Sequence, residues 1–370
     1  MALSENLLHG GDLISASARY NIPVESWLDL STGLNPVSYP VEGVDPLAFQ
    51  RLPYIQPEFL AAAAQYYGSD QLLPVNGSQP VIQALPKCVE KLPVLLPAVG
   101  YDEHRHSWQK NGNPLVFYPA FDAEAARVMI EKALLEGEAF HLVVINPNNP
   151  SGLCFTPQLL AEWSRQMVPG SYLIVDEAFI DTEPGSSVLA GYHDANMVVL
   201  RSFGKFFGLA GLRLGFVFAE ATLREALQQR LGLWQVNGVA QSLATKALSD
   251  DGWQMRARQD IGLNAEATRQ ALAPLIEVLN PLGEIRSALF SSWLMGRSEA
   301  TGLQHYFAAR GILVRVIMVN KHRSLLRIGI VNRNDINAME RLEQIVLNYA
   351  QHLTVQWEDS TEREVVDVCE

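Results

Sequence analysis

At 370 residues, 48% apolar and 18% charged, the chain exceeds a single hydrophobic core and implies two domains or a large α/β domain with an appendage. A formal net charge of -12, with no Lys/Arg cluster to oppose it, argues against a nucleic-acid partner. Cys88, Cys154 and Cys369 are too scattered for a disulfide framework or a metal site, and no window approaches a membrane span, so a cytoplasmic protein without a membrane partner is expected.

In chain order, "MALSENLLHGGDL" lacks a secretion signal, and helical spacing begins at 56–67. A second helix should follow Ser78, with Pro80 in its first turn and Pro86 kinking or ending it. Further helices are expected at 122–136, 156–167 and 220–232. They alternate with the apolar runs "LVFY" (115–118), "HLVVIN" (141–146), "YLIVDEA" (172–178), "MVVLRS" (197–202) and "RLGFVFA" (213–219), the pattern of a largely parallel sheet covered on both faces. A long helix should run from about 255 to Pro281. Strands at 289–295, 312–316 and 325–331, with helices near 299–310 and 333–351, then predict a smaller α+β unit. The resulting division is a large domain over 42–255, a small domain from 1–41 and 256–356, and a loose acidic tail over 357–370.

The stretch "RSFGKFFGLAGLRLGF" (201–216) sets a lysine, Lys205, among aromatic and glycine neighbours, with Ser202 three before it and Arg213 eight after it. A lysine attacks a carbonyl only when neutral, so an apolar frame suits imine formation. Ser202 and Arg213 suit a phosphate, because a guanidinium presents a fork of donors. An aldehyde and a phosphate on one ligand describe pyridoxal phosphate. That cofactor requires a carboxylate to keep its ring nitrogen protonated, which Asp176 at a buried strand end can supply. Asn149 in "NPNNPSG" can donate to the ring oxygen, Gly77 and Ser78 precede a helix whose amides suit a phosphate, and Tyr101 can stack on the ring.

The order Gly77-Ser78, Tyr101, Asn149, Asp176, Ser202-x-x-Lys205, Arg213 resembles the fold type I pyridoxal-phosphate enzymes of the class I/II aminotransferase family, from about residue 30 to 350. The resemblance implies an α/β fold with a mostly parallel seven-stranded sheet between helices, plus a smaller α+β domain. It makes Lys205 and Asp176 catalytic, adds Gln79, Ala178 and Tyr54 to the cofactor contacts, and implies a homodimer. Phe179 departs from the pattern, since many members carry tyrosine there.

By the same resemblance, Arg327 in "SLLRIGIV" receives the substrate α-carboxylate. Arg315 and the segment "NKHRS" (320–324) add more positive charge than one carboxylate requires, which suggests a phosphorylated amino acid as substrate. "HGGD" (9–12) and "LDLSTGLNPVSYP" (28–40) resemble the branch of the family that decarboxylates threonine O-3-phosphate for cobalamin, close to the histidinol-phosphate aminotransferases. There His9 and Gly10 help hold the substrate phosphate and Asn35 lines the pocket, with Asn149 near both ligands. Two other readings stay open: an aminotransferase for histidinol phosphate or a related amino acid, and an inactive effector-binding protein.

Overall fold

In the computed structural model the apolar runs His141–Ile145, Leu173–Asp176 and Met197–Ser202 form the centre of a seven-stranded sheet. Nearly all their side chains are buried, as β-branched residues on a doubly covered sheet should be. The order is Leu72–Val75, Gly215–Phe218, Met197–Ser202, Leu173–Asp176, His141–Ile145, Val94–Pro97, Leu115–Tyr118. Gly215–Phe218 alone runs opposite to the other six strands. The structure describes residues 10–191 and 194–366, with side chains through 352. They fall into two units: Val37–Arg258, and a second formed from the described residues up to Pro36 and from Gln259 onward.

Two strands of the large sheet, Leu72–Val75 and Val94–Pro97, carry prolines that hide them in the sequence. Pro74 is tolerated because its strand is an edge, and Pro97 because it is the last residue of its strand. The helices lie close to their expected spans: Pro57–Tyr67, Ser78–Ala84, Ala123–Leu135, Pro157–Gln166, Ala221–Leu231 and Asp251–Leu279. Asp122 caps one through the Ala125 N–H, and Thr156 caps another through the Leu159 N–H. The helix after Ser78 stops at Ala84, with Pro86 in the 3-10 turn that follows.

Four loops leave the C-terminal ends of the parallel strands, where α/β sheets hold ligands. They carry Tyr101, the 146–152 segment, Ala178–Phe179 and Lys205.

In the second unit a four-stranded antiparallel sheet has the order Arg315–Met318, Arg323–Gly329, Phe290–Gly296, Gly283–Arg286. Trp293, Leu326 and Ile328 pack with Leu303 and Phe307 of helix Arg297–Ala308. The expected single strand over 312–316 is two. Ile312–Leu313 pairs with Leu28–Asp29, and the chain then passes buried Val314 to join the antiparallel sheet. The expected loose tail is also corrected, because helix Ile336–Val366 runs into it. No proline or glycine follows 351 to break it.

Candidate active site

Asp176 ends its strand with its side chain buried, and His104 explains how a carboxylate is kept there. His104 Nε2 lies 2.8 Å from Asp176 Oδ2, and the Ala178 N–H donates to Oδ1 at 3.1 Å. The histidine sits on helix Asp102–Lys110, one turn after Tyr101. The Tyr101 hydroxyl donates to Gln79 Oε1 at 2.9 Å, and its ring meets His104 edge-on with centroids 6.4 Å apart. Gln79, Tyr101, His104, Asp176 and Ala178 are therefore one connected set.

A second set surrounds the start of the Ser78–Ala84 helix. Gly77 has φ +78°, and a Cβ built there would stand 2.8 Å from Arg213 Nη2. A Cβ on Gly215 would stand 2.9 Å from the Ser78 nitrogen, and Gly215 pairs with Ser202 across the sheet. Glycines thus let Ser78, Ser202 and the Arg213 guanidinium approach one another around a helix N-terminus. Arg213 itself has φ +53° and donates from Nη1 to the Ala210 carbonyl, which fixes the direction of its fork.

Lys205 occupies the short helix Phe203–Phe206, and its Nζ lies 5.2 Å from the centroid of the Phe179 ring. The aromatic residues around it hold the turn rather than the amine. Phe207 stacks between Phe203 at 4.3 Å and Trp253 at 5.5 Å, and Tyr39 packs edge-on against both Phe207 and Trp253. Gly204 is required here because a Cβ would come within 2.8 Å of the Ala210 Cα. Asn149, largely buried, lies in the loop tied to the Asp176 carbonyl by the Asn146 N–H at 2.8 Å. Tyr54 lies in a different segment and is 69% exposed.

Behind the site is a buried ionic cluster that the sequence reading missed. Arg201 Nη1 donates to Glu177 Oε2 at 3.0 Å and to Ser187 Oγ at 2.9 Å, and Nη2 donates to Asp181. Tyr67 lies under the guanidinium at 4.7 Å. Arg201 precedes Ser202 and Glu177 follows Asp176, so the cluster joins the two strand ends that carry the site. His104 was missed for a plainer reason. "DEHRHSW" offers two histidines, and only burial separates His104 from its neighbour.

In the second unit, Arg327 is buried at 1% exposure, and Arg315 lies directly opposite it on the neighbouring strand. Burial, and then the charge of Arg315, draw Arg327 down to about 9, with Asp29 acting in the other direction. It remains cationic at neutral pH. Gly10 packs on Ser31, and Asn35 is buried in the same unit. His9 lies outside the described residues. Among the described residues no His/Cys/Asp/Glu group could hold a metal ion.

The sequence model of the class I and II aminotransferases matches residues 47–342. The chain belongs to that family. Among its relatives in the family is the threonine-phosphate decarboxylase of Pseudomonas aeruginosa, 39% identical over 93% of this chain and 98% of that one. Another is the adenosylcobalamin biosynthesis bifunctional protein CobDQ of Leptospira interrogans, 24% identical over 74% of this chain and 33% of that one. The aminotransferase fold is seen again in the histidinol-phosphate aminotransferase of Sinorhizobium meliloti, solved with pyridoxal-5'-phosphate. It has a TM-score of 0.71 at 18% identity and covers 95% of this chain and 100% of that chain.

The residues present fit that cofactor. Glycine at 77 keeps a Cβ away from the Arg213 guanidinium beside the Ser78 amide, a donor set that suits a phosphate, and the buried acid with its histidine suits a protonated ring nitrogen.

Proposed function

We propose that this protein is a pyridoxal-phosphate-dependent decarboxylase of L-threonine O-3-phosphate, yielding (R)-1-amino-2-propanol O-2-phosphate and CO2 for the aminopropanol arm of cobalamin. The observation that carries the substrate class is the pair Arg315 and Arg327, opposed on adjacent strands. Like charges placed side by side repel, and threonine phosphate brings two anionic groups that would offset this. Decarboxylation is favoured over transamination by the 39% identity to a threonine-phosphate decarboxylase along almost the whole of both chains.

Pyridoxal phosphate, when bound, supplies an electron sink for the pair released from Cα. Arg213, Ser202, Ser78 and the Gly77 turn would hold its phosphate, and Tyr101 would pack on its ring. Asp176, oriented by His104 and the Ala178 N–H, keeps a proton on the ring nitrogen. Asn149 would donate to the ring oxygen, a role that Phe179 cannot share. Arg327 takes the α-carboxylate as a bidentate partner, while Arg315, His9 and Gly10 receive the phosphate. With both ends held, the Cα–carboxylate bond is set for cleavage; CO2 leaves and Lys205 returns a proton to Cα.

The enzyme acts as a cytoplasmic homodimer. Phe49 (72% exposed), Leu52 (59%), Leu233 (74%) and Trp234 (47%) are large apolar side chains in water. The two segments meet, since a Cβ on Gly238 would touch the Ala48 carbonyl at 2.5 Å. A second copy covers this surface and receives Tyr54 at its own cofactor.

The deciding experiment supplies L-threonine O-3-phosphate without any 2-oxo acid. Repeated CO2 release is expected, and Lys205→Ala should abolish it. One stoichiometric conversion of the cofactor to its amine form would replace this reading with an aminotransferase.

A further inference from the structure

Arg327 takes a partner from the backbone, because its Nη2 donates to the Ser31 carbonyl. Ser31 is itself fixed from two directions. Its N–H and its hydroxyl both donate to Asp29 Oδ1, at 2.8 and 2.6 Å, and its Oγ accepts the Gly11 N–H at 2.8 Å. The hydroxyl therefore uses its proton on one side and a lone pair on the other.

Gly10 lies against the same carbonyl. A Cβ built there would stand 2.4 Å from the Ser31 oxygen, far inside contact distance and against backbone. Gly11 follows with φ +87°, and Asp12 then caps helix Leu13–Tyr20 through the Ser15 N–H. The adjoining Leu30 carbonyl accepts the Gly329 N–H at 2.6 Å, so the seat is bonded to the strand that bears Arg327.

The geometry points to Gly10, Asp29 and Ser31 as positioning residues that fix the Ser31 carbonyl and thereby aim Arg327 at the substrate carboxylate. Seating of the N-terminal segment and capture of the carboxylate are then linked through one peptide group, each favouring the other. This inference rests on the proposed role of Arg327. It deepens that role by making specificity for a carboxylate-bearing ligand depend on a glycine 317 positions away in the chain, the difference between 327 and 10.

The test uses the holoenzyme with Gly10→Ala, Ser31→Ala and Ser31→Thr. For Ser31→Ala, KM for L-threonine O-3-phosphate should rise about tenfold with kcat little changed, since aim rather than chemistry is lost, and Gly10→Ala should raise KM at least as far. In Ser31→Ala, binding of 1-amino-2-propanol O-2-phosphate, which has no carboxylate, should stay within about twofold by calorimetry. Ser31→Thr, which keeps the hydroxyl, should restore KM. Equal weakening of both ligands, or of neither, overturns the inference.

A second measurement needs no turnover: amide hydrogen exchange at Gly11 should accelerate in Arg327→Met, and an unchanged rate overturns the linkage. Failure of the native protein to release CO2 would refute the proposed activity, whereas the exchange result decides the seat on its own.

Discussion

Replacing Arg201 by methionine keeps the apolar stem of the side chain and removes the charge that holds Glu177 and Asp181 together. In the native protein the guanidinium donates to Glu177, Ser187 and Asp181 and stacks on Tyr67, with all three charged side chains at most 3% exposed. The variant would bury two carboxylates without their cation. Breaking a buried pair by removing one partner costs about 3–5 kcal/mol. For a unit of this size that is a fall in Tm of roughly 6–20 °C by calorimetry.

The penalty should depend on pH. Burial raises the Glu177 carboxyl above its ordinary 4.5, and Arg201 pulls it back down. A carboxyl raised in the folded state binds its proton more tightly there. Its contribution therefore favours folding below 4.5 and is lost as pH rises through the folded value. Without Arg201 the upward shift grows, so the loss in Arg201→Met should be smaller near pH 5 than at pH 8. A variant within about 1 kcal/mol of native at pH 8, or equally destabilised at both pH values, would refute the assignment of this cluster as a charge-balanced brace.

Asp176→Asn should lower kcat on the order of 10²–10³ with little change in Tm, in a steady-state CO2 assay. His104→Phe leaves Asp176 Oδ2 without its partner at 2.8 Å and should cost about tenfold. Gly77→Ala puts a methyl 2.8 Å from Arg213 Nη2 at a left-handed φ of +78°, so cofactor affinity should fall about tenfold or more by fluorescence titration. Phe49→Glu combined with Trp234→Glu should convert a dimer to a monomer in size-exclusion chromatography with light scattering. An unchanged mass would remove that surface from the interface.

Much of the first unit was legible in the sequence because its signals are local. The central strands are continuous apolar runs, and the helices carry their own stops and caps, such as Thr156 and Pro86. The edge strand around Pro74 was not legible, because a proline reads as a break unless the residue is known to sit at a sheet edge. The split at Val314 was hidden for a related reason. "ILVRV" has uniform β propensity, and only the two different partner strands divide it.

The site divides in the same way. The residue types and spacings around Lys205, Asn149 and Asp176 sufficed to name a cofactor and a family, because covalent and ionic chemistry restricts which side chains can serve. The supporting groups were silent: His104, Arg201 and Asp29 are ordinary polar residues until burial removes water from them. Which of two histidines faces a carboxylate, and which glycine lies under a carbonyl, depends on contacts between segments remote in sequence. The chain alone thus determined the chemistry and the elements that carry it. The tertiary structure decided the partners, because desolvation and close approach are properties of the packed molecule and of no residue by itself.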